Sequence, residues 1–100
     1  MTVLAIFSAA GISKDMYDAL MKEIDEVRNP PAGLILHAAS FDDNGGVHVA
    51  DVWASPDELN DFVNSRLMPA MAKHNAPAPD VQVFPVHNIN AYASVDQFKV

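Results

Sequence analysis

Val47-His48-Val49-Ala50-Asp51-Val52-Trp53 runs almost directly into Ser55-Pro56-Asp57-Glu58, and this junction decides the fold. The first run is short and apolar, which reads as a strand from Val47 to Ala54. In the second, Ser55 suits an N-cap, Pro56 the first helical position and Asp57 the positive end of the helix dipole, and Glu58 completes a capping box. Leu59, Phe62, Val63, Leu67 and Ala70 then form one apolar stripe. A helix is expected from Pro56 to about Met71 or His74, with a kink or an early stop at Pro69. The same stretch holds the only tryptophan, a carboxylate inside an apolar strand, and Arg66 one turn before Pro69.

Upstream, Asp42-Asp43-Asn44-Gly45-Gly46 is a turn of residues that tolerate positive φ, and Leu34 to Phe41 reads as a strand before it. The two strands form a hairpin. A five-residue turn pairs Phe41 with Val47, Ala39 with Val49, His37 with Asp51 and Ile35 with Trp53. Thr2 to Ala10 is apolar at nearly every position, a strand covered on both faces. Ser13 can cap a helix from Lys14 to Arg28 whose stripe is Tyr17, Leu20, Ile24 and Val27, and Asn29-Pro30-Pro31 ends it. After Asn75-Ala76-Pro77-Ala78-Pro79, Val81 to Ile89 reads as strand four, with Pro85 placing it at an edge or a bulge. The last ten residues carry little pattern and read as a tail or a partner-binding arm.

Residues 1–100 thus form one α+β domain of order strand, helix, strand, strand, helix, strand, the ferredoxin-like βαββαβ pattern with a four-stranded antiparallel sheet. Right-handed crossovers put both helices on one face. The opposite face is also apolar, so a homodimer through sheet-to-sheet packing is expected.

A formal charge of -7 with six scattered basic residues argues against nucleic-acid binding. No cysteine is present, so disulfides and thiolate chemistry are excluded. The apolar N-terminal run ends within about ten residues and lacks a basic flank, so no membrane association is expected and a cytoplasmic protein is the default. The four histidines, separated by 11, 26 and 13 positions, match no compact metal motif. His74 reads as a helix-terminal residue near the dipole rather than a haem ligand. There is no Gly-rich phosphate loop and no Ser elbow.

The chemistry gathers on the hairpin. His37 opposite Asp51 brings an imidazole and a carboxylate together among apolar neighbours, as a general base and its orienter or as a mutually satisfied structural pair. Trp53 reads as core or as a stacking wall for an aromatic ligand. Arg66 borders the buried stripe, where it binds an anionic or carbonyl group or forms a surface salt bridge. Tyr17 is core or a pocket acid. His87 is a second pocket histidine or a strand-end core residue, and His48, opposite Ser40, belongs to the dimer surface.

Asp51-Val52-Trp53-Ala54-Ser55-Pro56-Asp57-Glu58-Leu59, with Phe62 and Arg66-Leu67-Met68-Pro69 behind it, resembles the dimeric α/β-barrel superfamily that includes antibiotic biosynthesis monooxygenases. The resemblance implies two ferredoxin-like sheets paired into a barrel, with a pocket between sheet and helices in each subunit. It matches Asp51 and Trp53 to an acid-x-Trp pattern at the end of strand three, and implies a cofactor-independent monooxygenase acting on a phenolic or enolic substrate. Haem-degrading relatives rely on a strand-one asparagine, which Thr2 to Ala10 lacks. The expectation is a small-molecule enzyme without cofactor, with His37 and Asp51 catalytic and Trp53, Arg66, His87 and Tyr17 binding a small hydrophobic or aromatic ligand. The alternative is a non-catalytic ligand-binding or interaction homodimer.

Overall fold

In a computed structural model that describes residues 1–100, alternation along β1 (Val3–Ala10) sets the layers. Val3, Ala5 and Phe7 are buried beneath the helices, whereas Leu4 and Ile6 face the other way and are half-buried. The remaining elements are α1 (Lys14–Ile24), β2 (Leu34–Phe41), β3 (Gly46–Trp53), α2 (Pro56–Phe62), α3 (Met68–Lys73) and β4 (Asp80–Pro85). Every strand pair is antiparallel and the sheet order is β2-β3-β1-β4. This is the ferredoxin-like arrangement expected from the element order. No helix is long and apolar enough to cross a membrane.

The helix caps follow the sequence. Ser13 Oγ accepts the Met16 amide, and Ser55 Oγ accepts the Glu58 amide while donating to Glu58 Oε1. Pro69 neither stops nor breaks the second helical stretch. A π-helical turn over Val63–Leu67 widens the coil between α2 and α3, so the missing Pro69 amide falls where the regular ladder restarts.

Four expectations are corrected. The hairpin register holds from Phe41–Val47 to His37–Asp51, but a bulge between Leu34 and Leu36 puts Leu34, not Ile35, opposite Trp53. The extra residue turns Ile35 outward, 53% exposed, and lets Leu34 pack on the core. The first helix stops at Ile24 rather than Arg28, because Asp25 adopts a left-handed conformation and its amide closes onto the Met21 carbonyl. Strand four ends at Pro85, short of Ile89. It is an edge strand paired only with β1, as Pro85 implied, and the chain beyond Val86 is exposed. The terminal segment is not patternless: Ala93–Phe98 forms an exposed 3-10 turn.

Gly33 is required where the chain enters β2. Its φ is +86°, and a Cβ there would lie 2.5 Å from the Glu58 carboxyl carbon. Its carbonyl accepts the Ala54 amide at 2.7 Å, tying the start of β2 to the end of β3 just before the α2 cap.

Candidate active site

The floor of the site is the helix-facing side of β1, β2 and β3, where opposed residues share a face: Phe7 with Val49, Ala5 with Asp51 and His37 with Asp51. α1 and the α2–π–α3 segment roof it with Tyr17, Leu20, Met21, Ile24, Phe62, Leu67 and Met71. Between them lies a cavity of about 80 Å³. Its wall is largely aliphatic and aromatic, and the polar groups reaching it are Ser8, Tyr17, Glu26, His37 and Asp51.

Four side chains form one directed chain of hydrogen bonds. Buried Trp53 donates Nε1–H to Asp51 Oδ2 at 3.2 Å, and Asp51 Oδ1 lies 2.7 Å from His37 Nδ1. A carboxylate only accepts, so Nδ1 carries a proton, and in neutral His37 the other nitrogen is then an acceptor. Tyr17 Oη lies 2.8 Å from Nε2 and donates to it. The order is Tyr17 to His37 to Asp51, with Trp53 fixing the carboxylate from below. Phe41 meets the Tyr17 ring edge-on, 5.5 Å between centroids, which holds the phenol toward His37.

The electrostatics favour proton storage. Burial alone lowers the His37 pKa, but the Asp51 hydrogen bond and the charges of Asp51 and Glu26 outweigh it, and the net shift is upward. Tyr17 is pushed up to about 12, first by burial and then by Glu26, Asp51 and Asp18. Tyr17 therefore stays protonated at neutral pH.

The structure thus brings Tyr17, His37 and Asp51 together at the cavity, sets Trp53 behind Asp51 and out of the cavity, and places Arg66 and His87 elsewhere. Trp53 is 0% exposed, packs against Phe62 with ring centroids 5.1 Å apart, and does not line the cavity. It supports the site from beneath and is not a stacking wall. Arg66, in the π-helical turn, donates to the Ile24 carbonyl and so caps α1 instead of reaching the cavity. His87 lies beyond β4, exposed and away from the cavity. His48 sits opposite Ser40 on the open sheet face, bonded to Asp42 and Ser8.

Glu26 escaped the sequence reading for a definite reason. Continued helical periodicity turns Val27 inward and Glu26 to solvent. The left-handed Asp25 reverses the two, leaving Val27 56% exposed and Glu26 8% exposed. Its Oε1 lies 3.5 Å from His37 Nδ1. A helix-ending residue at Asp25 was the signal available, but Asp is a weak one compared with glycine.

No protein-family model matches the chain, and no curated protein matches it in sequence. Solved structures do match in shape. SnoaB, a cofactor-independent oxygenase from Streptomyces nogalater, is 8% identical, with 88% of this chain and 94% of SnoaB covered at a TM-score of 0.65. A candidate antibiotic biosynthesis monooxygenase from Chloroflexus aurantiacus J-10-fl is 18% identical, covering 90% and 98% at 0.63. A protein of unknown function from Nitrosomonas europaea is 17% identical, covering 93% and 97% at 0.67. At such identities the likeness is one of fold, the fold of antibiotic biosynthesis monooxygenase-like proteins.

Proposed function

We propose that this chain is a small-molecule enzyme of the cofactor-independent monooxygenase type, acting on a phenolic or enolic substrate in the cavity between sheet and helices. The observation that carries the reading is the Tyr17–His37–Asp51 relay ending in a cavity whose wall is largely apolar. His37 Nε2 is occupied by Tyr17, so the substrate hydroxyl meets the relay at Tyr17 Oη. As Tyr17 passes its proton to His37, it takes the substrate's, and Asp51 stabilises the imidazolium. The substrate anion is then electron-rich enough to react with dioxygen at carbon: a C–O bond forms to give a hydroperoxide, and its O–O bond breaks as the same carbon loses its C–H proton, leaving a carbonyl (phenol to quinone) and water, with the substrate itself supplying all the electrons. The relay supplies and receives the protons of that exchange. At about 80 Å³ the cavity is smaller than the roughly 150 Å³ in which a benzene ring is held, so a ring-sized substrate enters as Met21, Leu67 and Met71 adjust.

Oxygen uptake with simple phenols and quinols tests the reading. His37→Ala should lower turnover by about 10²- to 10⁴-fold, the usual share of a general base, with the fold retained. Equal turnover by this variant would remove His37 from the chemistry.

The working unit in this proposal is a homodimer. The open face of the sheet presents Leu4, Ile6, Leu36, Ala50 and Phe84 around buried Val52, with Phe84 46% exposed. A second copy covers this face with the same residues by two-fold symmetry. Sedimentation equilibrium should give twice the chain mass of 10.8 kDa, and Ile6→Lys should give the single-chain mass. A monomeric wild type would refute the assembly.

A further inference from the structure

The open face of the sheet carries a second chain of hydrogen bonds, separate from the relay. Strand pairing sets Ser40, His48, Ser8 and Asp80 in one row across that face, at the end where the turn after Phe41 joins β2 to β3. Asp42 Oδ1 accepts the amides of Asn44 at 2.8 Å and Gly46 at 2.9 Å, which fixes the carboxylate and leaves Oδ2 to His48 Nε2, 2.7 Å away. His48 Nδ1 lies 3.2 Å from Ser8 Oγ. The His48 bond first, and then the two amides, hold the Asp42 carboxyl below the usual carboxylate range, so it acts as an acceptor. Nε2 therefore carries a proton, Nδ1 of the neutral ring accepts, and the Ser8 hydroxyl donates to it.

An open cleft of about 290 Å³ adjoins these groups, lined by all three residues together with Asn44 and Asp80. It is roomier than the roughly 150 Å³ in which a benzene ring is held. Ser8 is half-buried, and the His48 and Asp42 side chains are 50% and 39% exposed, so water reaches the site. The rows that carry the proposed dimer contact, Ile6 with Ala50 and Leu4 with Val52, lie toward the other end of the face, so the cleft sits beside that contact.

We propose that Ser8, His48 and Asp42 form a second catalytic site, in which Ser8 takes the acyl group of a small neutral or cationic ester and water then removes it. Nucleophile, base and orienting carboxylate are recognised by their geometry and not by their order in the chain. As Ser8 Oγ bonds to the ester carbonyl carbon, its proton passes to His48 Nδ1. The bond from that carbon to the leaving oxygen then breaks, and the proton goes to the departing alcohol. Water, giving a proton to the same nitrogen, displaces Ser8 and yields the carboxylic acid; Ser8 recovers its proton from His48, and no oxidant or reductant takes part. Asn44 brings a side-chain amide to the cleft, a donor of the kind that stabilises a developing oxyanion. Asp42 and Asp80, with no Lys or Arg in the lining, repel anionic esters. The site does not depend on the phenol reading, since Tyr17, His37 and Asp51 are absent from the lining of this cleft.

The test is hydrolysis of 4-nitrophenyl acetate by the full chain, with mass spectrometry of protein quenched during turnover. The wild type should carry one acetyl group, on Ser8, and react faster than free imidazole at the same concentration. Ser8→Ala should remain unacetylated and lose turnover, and His48→Gln should lower turnover by at least about 10²-fold. Asp42→Asn keeps Oδ1 for the two turn amides but points an N–H at Nε2, which puts the ring proton on Nδ1. Its kcat should fall at least about 10-fold with KM unchanged, a split that a merely structural Asp42 would not give. Relative to free imidazole, 3-carboxy-4-nitrophenyl acetate should react more slowly than the parent ester; equal relative rates overturn the charge preference. Turnover by Ser8→Ala equal to that of the wild type, or acetylation at residues other than Ser8, overturns the site.

Discussion

Asp51→Ala is expected to destabilise the protein by about 2–5 kcal/mol, because it strands the buried Trp53 donor and takes the close acceptor from half-buried His37. Trp53 Nε1–H, in a side chain with no exposure, has Asp51 Oδ2 as its acceptor, and His37 Nδ1–H has Oδ1. Each unsatisfied buried donor costs about 1–3 kcal/mol, and the methyl group left behind offers neither an acceptor. The loss should also depend on pH with a definite sign. His37 has a raised pKa in the folded state, so its contribution is fully present below about 6.5 and disappears as the pH rises through the higher folded value. The deficit of Asp51→Ala in urea midpoint should therefore be largest near pH 5–6 and shrink on the alkaline side. A deficit that is flat across that range would mean that the His37–Asp51 pair contributes little to the raised His37 pKa. Asp51→Asn separates folding from chemistry. Its amide oxygen can accept from Trp53, but its NH₂ then faces His37 and favours the tautomer in which Nδ1 accepts. That tautomer puts the proton on Nε2, facing Tyr17, and reverses the relay. Asn should thus recover most of the stability while turnover stays low.

How far this site could be read from the sequence depends on how local its causes are. His37 opposite Asp51 follows from the length of one turn and a period of two, and both survive in the structure. Ile35 opposite Trp53 follows from the same arithmetic and fails, because a bulge one residue beyond the pair has no clear signature in Leu34-Ile35-Leu36. Tyr17 could be placed on a buried helical stripe, but its contact with Nε2 depends on how α1 crosses the sheet, which periodicity does not contain. Position in the sequence leaves Trp53 open as core or stacking wall and Arg66 open as ligand contact or surface ion pair. Tertiary packing instead gave the indole to Asp51 and the guanidinium to a helix end. Glu26 is the clearest case: a single left-handed residue at Asp25 exchanges the inward and outward positions of Glu26 and Val27, and Asp advertises that conformation far less than glycine does.

Met71→Ala addresses the mismatch between cavity size and substrate size. Met71 is 5% exposed, belongs to the core cluster and lines the cavity roof. Truncating such a side chain costs about 2–5 kcal/mol, more when the surroundings do not collapse, at about 24 cal/mol for each Å³ left vacant. Here the vacated space adjoins a cavity of about 80 Å³, so the enlarged volume should approach the roughly 150 Å³ that holds a benzene ring. Phenol should therefore bind the variant about 10-fold more tightly than the wild type, since the lining no longer has to move. It should also return much of the lost stability, because a ligand present at 100 times its Kd adds about 2.7 kcal/mol to whichever state binds it. Urea midpoints of both proteins with and without phenol measure the two effects together. If phenol leaves the midpoint of Met71→Ala unmoved, the space beneath the α2–α3 roof is a packing defect and substrate enters elsewhere. If the midpoint rises in the variant more than in the wild type, the volume around Met71 limits which phenols the site accepts. Enlarging it should then extend turnover from single rings toward fused ones, with the Tyr17–His37–Asp51 relay unchanged.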